Sequence, residues 1–256
     1  MPVRTESWPV GTPCWADLTV PDIDAAKAFY GPVLDWEFGE GTDEYGGYVN
    51  CSRNGSLVAG LSPMFQAGMP AAWTTYFASE DATEIAERIV TAGGTVVMPP
   101  VEVMGMGTMA VAADPGGASF GVWQAGSHTG FGLYREPGSV VWEELVPGEG
   151  GAAGARDFYG GVFGLDFTPM DGGYMFRPAQ RLRIDEDHVG SIGAPRSETA
   201  TPGWRLWFVV ADTDAACSAA SAHGGKVVGP ASPGAFGREA RLLDPAGAEL
   251  YVITPG

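Results

Sequence analysis

Six blocks from the first half of this 256-residue chain return, in the same order, in the second half. Trp15-Ala16-Asp17-Leu18 comes back as Trp142-Glu143-Glu144-Leu145, Ala28-Phe29-Tyr30-Gly31 as Asp157-Phe158-Tyr159-Gly160, and the segment from Val33 to Phe38 as that from Val162 to Phe167. Further on, Trp73 to Phe77 answers to Trp204 to Phe208, and Gly93-Gly94-Thr95-Val96-Val97 to Gly224-Gly225-Lys226-Val227-Val228. Asp114-Pro115-Gly116-Gly117-Ala118 answers to Asp244-Pro245-Ala246-Gly247-Ala248. The offsets stay between 127 and 131 residues, so small insertions account for the drift. Such a repeat is the mark of two copies of one domain, the second beginning near Val140.

Each copy reads the same way. Trp15 to Val20 is a strand, followed by an Asp-capped helix from Asp22 to Val33 whose Ala25, Phe29 and Tyr30 keep helical spacing. Short strands follow near Trp36–Phe38, Tyr48–Arg53 and Leu57–Ser62, with glycine-rich turns between them. After Gly68-Met69-Pro70 the pattern restarts, with a strand at Trp73–Ala78, a helix at Ala82–Ala92 and three strands ending near Val122-Trp123. Each copy thus holds two βαβββ modules, four in all. The reading divides the chain into domain 1 (residues 1–125), a linker (126–138) rich in glycine, and domain 2 (139–256).

Composition narrows the function. A net charge of −17, with Lys27 and Lys226 the only lysines, argues against a nucleic-acid partner, since phosphate neutralisation needs clustered bases. No apolar run is long enough to cross a bilayer, and the N-terminal residues lack the apolar stretch of a secretory signal. Cys14, Cys51 and Cys217 are scattered and odd in number, which implies no disulfide framework. A cytoplasmic protein is expected.

The strand and helix ending in Phe-Tyr, the Gly and Leu-x-Trp/Phe that follow, and the later Gly-Gly-x-Val-Val and Asp-Pro-x-Gly-Ala blocks together resemble the vicinal oxygen chelate superfamily. That superfamily holds glyoxalase I, extradiol dioxygenases, fosfomycin-resistance enzymes and bleomycin-binding proteins. More narrowly, the chain is similar to two-domain actinobacterial members labelled glyoxalase-like or "hydroxylase". The resemblance covers nearly the whole chain and implies an α+β fold: a tandem pair of glyoxalase-like domains whose four modules form curled mixed sheets, or cups. It also implies metal ligands on the first strand (His or Gln) and the last (a Glu after Asp-Pro-x-Gly). At the first-strand positions stand Trp15, Trp73, Trp142 and Trp204, and at the last-strand positions Gly121 and Tyr251. None offers a donor that a divalent metal takes, so neither a metal nor another cofactor is expected.

The histidines do not restore a ligand set. His128 lies in the linker and His223 at a helix end. His188 follows Asp185-Glu186-Asp187 in what reads as an acidic hairpin turn between Arg181–Ile184 and Val189–Ile192. Two glycine stretches carry no nucleotide signature: Gly105 to Ala110 has no helix after it, and Gly148 to Ala153 matches an ordinary loop in the first copy.

What remains is aromatic and acidic. Strand alternation puts Asp17 on the face of Trp15, and Glu144 on the face of Trp142. Inside a cup each would be a desolvated carboxylate fit for acid–base work or ligand anchoring; the alternative is a structural pairing with an arginine such as Arg205 or Arg241. Trp15, Trp73, Thr75, Trp123, Trp142, Trp204, Leu206 and Tyr251 are the candidate walls, with Met104 and Met106 as an adaptable apolar surface in domain 1; plain core packing is the alternative. Met98, Met104, Met106 and Met109 have no counterpart cluster in the second copy, which points to one working cup and one structural one.

Three functions fit. The first is metal-independent chemistry on, or binding of, an apolar or aromatic metabolite, as in natural-product tailoring. The second is sequestration of such a compound without catalysis, and the third a metal-dependent glyoxalase or dioxygenase with unusual ligands such as Asp17, Glu144 or His188. The expected partner is a small organic molecule, not nucleic acid or membrane, bound by a monomer or a homodimer.

Overall fold

Aspartate starts three of the four helices. The computed structural model describes residues 4–41, 46–64, 66, 68–180, 188–193 and 201–256. In it Asp22 accepts from the Ala25 amide, Asp81 from those of Thr83 and Glu84, and Asp212 from those of Asp214 and Ala215. Each bond satisfies a backbone donor that the first helical turn leaves open. The remaining helix begins instead at Gly150, whose φ of 87° suits glycine and which offers no capping side chain. The Gly148–Ala153 stretch is therefore loop and helix start.

The elements follow the βαβββ order four times, with one extra short strand in the fourth module. The first module is β1 (Pro13–Val20), α1 (Ile23–Leu34), β2 (Glu37–Phe38), β3 (Val49–Arg53) and β4 (Ser56–Pro63). The second is β5 (Ala72–Ser79), α2 (Ala82–Thr91), β6 (Thr95–Val103), β7 (Gly107–Ala113) and β8 (Ser119–Ala125). The third is β9 (Val140–Val146), α3 (Gly151–Phe163), β10 (Asp166–Met170), β11 (Gly173–Arg177) and β12 (Gly190–Ile192). The fourth is β13 (Gly203–Val209), α4 (Thr213–Ala222), β14 (Lys226–Val227), β15 (Ser232–Gly234), β16 (Gly237–Leu243) and β17 (Glu249–Pro255). The hairpin expected at Arg181–Ile184 lies outside the described residues.

The strands form two mixed sheets of matching topology. One runs β2-β3-β4-β1-β5-β8-β7-β6, the other β10-β11-β12-β9-β13-β17-β16-β14 with β15 paired to β16. In each, the first strands of two modules lie antiparallel at the centre. Trp15 pairs with Tyr76 and Trp142 with Trp207, and the register slips one step beyond each pair. That the two sheets share even this irregularity is what duplication of one domain would leave.

The two helix-bearing faces meet. Helix α1 packs on α4 and α2 on α3, and β5 touches β13. Aromatic rings fill the seam: Phe77 stacks on Phe163 with centroids 4.9 Å apart, and Trp36 meets Phe208 edge-on at 5.8 Å. One apolar core runs through both sheets. The 126–138 segment joins it, with Phe131 and Tyr134 buried and the Phe131 carbonyl accepting from the Trp8 indole at 3.2 Å. The sheet faces away from the seam are the two cups.

Candidate functional site

Register decides which side chains enter a cup. On β1, Trp15 and Asp17 point away from the helices, while Ala16 and Leu18 point to the core. Opposite them, Tyr76 pairs with Trp15 and Thr74 with Asp17, so those two share the cup. The second sheet repeats this with Trp142, Glu144, Trp207 and Arg205.

The first cup is filled by its own side chains. The Trp15 indole donates to the Tyr48 hydroxyl at 2.8 Å. Tyr48 lies across Gly60 and Tyr76 across Gly121, where an added Cβ would sit 1.8 Å and 2.1 Å from the tyrosine atoms. The 126–138 segment closes over the rest: Gly126 and His128 donate to the Met106 carbonyl, and Trp123 donates to the His128 carbonyl at 2.9 Å. The His128 ring then meets Trp15 edge-on at 4.4 Å. Burial lowers the imidazole to about 4 and raises the Asp17 carboxyl to about 7, the Tyr76 hydroxyl pulling Asp17 the other way.

The second cup holds open space, a cavity of about 350 Å³. Trp207 and Tyr251 stack on its wall, centroids 4.6 Å apart and planes 22° from parallel. Trp207 donates to Glu144 at 3.2 Å, which aims that carboxylate, and Trp142 donates to Ser191 at 3.0 Å. Glu249 holds the charged side: one oxygen is ion-paired with Arg205 Nε at 2.7 Å, and the other is ion-paired with Arg241 Nε and accepts from the Tyr251 hydroxyl at 3.0 Å. Cup-facing charge of both signs, fixed beside an aromatic stack, can orient a polar planar molecule.

The structure gathers the expected residues into two groups and turns others away. Trp15, Asp17 and Trp123 meet in the first cup, with Met106 half-buried beside its closing segment; Trp142, Glu144 and Tyr251 meet in the second. Trp73, Thr75, Trp204 and Leu206 are corrected: paired with Leu18, Ala16, Leu145 and Glu143, they lie on the helix face. Trp73 packs on Tyr30, and the Trp204 indole donates to the Tyr159 hydroxyl at 3.1 Å. Met104 is also corrected, since it stands at the β6–β7 turn with 54% of its surface exposed. Asp17 and Glu144 sit in separate cups.

Several residues of the cups are new. Tyr76 and Trp207 are aromatic three positions after Trp73 and Trp204, a spacing that puts the two rings of each pair on opposite faces of a strand; that signal was present in both copies. Tyr48, Arg241 and Glu249 reach the cups through long-range pairing, and His128 through the closing segment. Glu143, beside Glu144, turns to the core, where burial pushes its carboxyl well up and the Tyr134 hydroxyl donates to it at 3.3 Å.

The metal implied by the resemblance does not fit these residues. Among the described residues no three His, Cys, Asp or Glu side chains converge on one point. Asp17 shares its cup with indoles, phenols and a buried imidazole, and Glu249 is already neutralised by two guanidinium groups. His188, the most exotic candidate ligand, contacts Thr168 at 3.0 Å on the outer hairpin.

Comparison with known proteins agrees with the fold. Residues 14–122 and 150–252 match the family described as the Glyoxalase/Bleomycin resistance protein/Dioxygenase superfamily. Anthracycline biosynthesis protein DnrV of Streptomyces peucetius is 39% identical over 264 residues, covering 95% of this chain and 93% of that protein. Among solved structures, the Mn(II)-bound glyoxalase from Novosphingobium aromaticivorans superposes with a TM-score of 0.64 at 18% identity, over 95% of this chain and 82% of that one. The 2,3-dioxygenase LapB from Pseudomonas sp. KL28 superposes with a TM-score of 0.65 at 15% identity, over 99% and 94%. At such identities the two structures speak for the fold alone.

Proposed function

The chain belongs to the glyoxalase/bleomycin resistance protein/dioxygenase superfamily, and from that premise we propose that its second cup binds a small planar organic molecule without the help of a metal. The observation that carries this reading is the cavity of about 350 Å³ beside the Trp207–Tyr251 stack, with Glu144 held by the Trp207 indole at its rim. Aromatic rings give a flat ligand a large contact area at small entropic cost, and a few fixed polar groups orient it. The first cup, occupied by Trp15, Tyr48, Tyr76, Trp123 and His128, serves as scaffold in this reading, which makes the duplicated chain a one-site protein.

The similarity to a protein named for anthracycline biosynthesis favours a polycyclic aromatic metabolite. In this reading Glu144 takes or returns a proton at a ligand hydroxyl, and the bond from the Trp207 indole supports that role by orienting it. Calorimetric titration of the whole chain with a hydroxyanthraquinone such as alizarin tests the reading. Binding of one molecule per chain is expected, with tryptophan quenching, and Trp207→Ala should weaken it about tenfold or more. Binding that appears only on addition of Mn²⁺, or that is indifferent to both Trp207→Ala and Tyr251→Ala, would overturn it. Product analysis after incubation with Glu144→Gln as the control then separates turnover from sequestration.

A further inference from the structure

The two cups come from one ancestral sheet, yet their fourth walls differ. Where the first cup has Thr74, Val111 and Ser119, the same pairing positions in the second carry Arg205, Arg241 and Glu249. Arg205 is fully committed: its Nε is ion-paired with Glu249 and its terminal nitrogens donate to the Thr201 carbonyl at 2.7 Å and the Trp204 carbonyl at 3.3 Å. Arg241 is not. Its Nε is pinned by Glu249, while its two terminal nitrogens have no partner among the described residues and its side chain lines the cavity at 42% exposure. A carboxylate with both oxygens occupied thus holds a guanidinium that lines the same cavity as the Trp207–Tyr251 stack.

Resting on the reading of the second cup as the ligand site, we propose that Arg241 selects an acidic planar ligand, one that presents an oxyanion beside a second oxygen acceptor. A carboxylate on the ring system, or an ionised phenol or enol next to a ketone, has that form. The guanidinium fork matches two such oxygens in one plane, and its bonds to a charged acceptor are among the strongest available to a side chain. Because Glu249 already fixes the orientation, little side-chain freedom is lost when the ligand arrives.

Three isosteric probes test this with the full chain at neutral pH: anthraquinone-2-carboxylate, its neutral carboxamide and a cationic 2-aminomethyl anthraquinone. Calorimetry should rank the carboxylate first, ahead of the carboxamide by ~10-fold or more. Arg241→Met should reduce the carboxylate's affinity at least ~10-fold more than the carboxamide's, and Arg241→Lys should keep part of the preference because the charge stays while the fork is lost. Equal affinity of carboxylate and carboxamide, or equal losses for both in Arg241→Met, would overturn the role of Arg241 and leave the second-cup reading standing. First rank for the cationic probe would overturn it in favour of recognition by Glu144 and Glu239. Failure of all three probes to bind would overturn the second-cup reading itself.

Discussion

Tyr159 of the second domain donates its hydroxyl to Asp114 of the first at 3.2 Å, and Tyr30 of the first domain repeats the bond to Asp244 of the second at the same distance. The other oxygen of Asp114 accepts from the Ala118 amide, and that of Asp244 from the amides of Ala246 and Ala248. Each aspartate thereby shapes its own Asp-Pro turn and latches the opposite domain. The Phe-Tyr and Asp-Pro blocks recur in both copies because each copy supplies one half of a reciprocal clasp.

Removing a hydroxyl from the clasp should cost stability without touching either cup. In Tyr159→Phe, Asp114 loses a buried donor and the Trp204 indole loses its acceptor. Buried groups left unpaired cost about 1–3 kcal/mol, so the urea midpoint should fall with the slope of the transition unchanged. A midpoint equal to that of the parent chain would show the clasp to be energetically idle.

Asp17 should make stability depend on pH in an unusual direction. Its folded carboxyl is raised by burial from 3.8 to about 7, so between those values the folded chain holds a proton that the unfolded chain releases. The contribution of this group is therefore fully present below about pH 4 and is lost as pH rises through about 7. Asp17→Asn, which cannot ionise, should gain on the parent as pH rises, by about 3 kcal/mol between pH 5 and pH 8. Denaturation midpoints of the two proteins at pH 5 and pH 8 give the comparison, and a constant difference would refute it.

The scaffold was legible because it rests on local rules. Asp caps, Gly-Gly helix ends and apolar alternation act over a few residues, and duplication printed each signal twice. Parity was the harder matter. A strand bearing Trp204 and Trp207 shows rings on both faces, and only its pairing with Trp142 and Leu145 tells which ring enters the cup. The contrast between the cups lay deeper still, since the Arg241–Glu249 bond depends on strand partners, and the closing of the first cup by His128 depends on where a glycine-rich segment comes to rest.

Parity can be tested directly with the two tryptophans. Trp204→Phe should destabilise the fold, because Trp204 is packed against Phe77, Phe176 and Tyr159 in the seam, yet leave the affinity for a planar probe within about twofold. Trp207→Phe should do the opposite, losing the bond to Glu144 and part of the stack while costing the fold little. Paired titration and urea series on the two variants measure both quantities. If Trp204→Phe is the variant that loses the probe, the second cup is not the binding site.

Gly121 links packing in the first cup to the titration of Asp17. A Cβ there would lie 2.1 Å from the Tyr76 ring, a distance no van der Waals contact allows, and the ring is buried, so it must swing aside. Overpacking of this kind costs about 1–3 kcal/mol. The second consequence is more specific. The Tyr76 hydroxyl pulls the Asp17 carboxyl down against burial, so displacing it lets the carboxyl rise further. Gly121→Ala should therefore be less stable at every pH, and its loss of stability with rising pH should extend to more alkaline values than in the parent. Combining it with Asp17→Asn should abolish that extension while leaving the packing cost in place. An unshifted profile in Gly121→Ala would mean that Tyr76 fills space in the first cup and does not govern its acid.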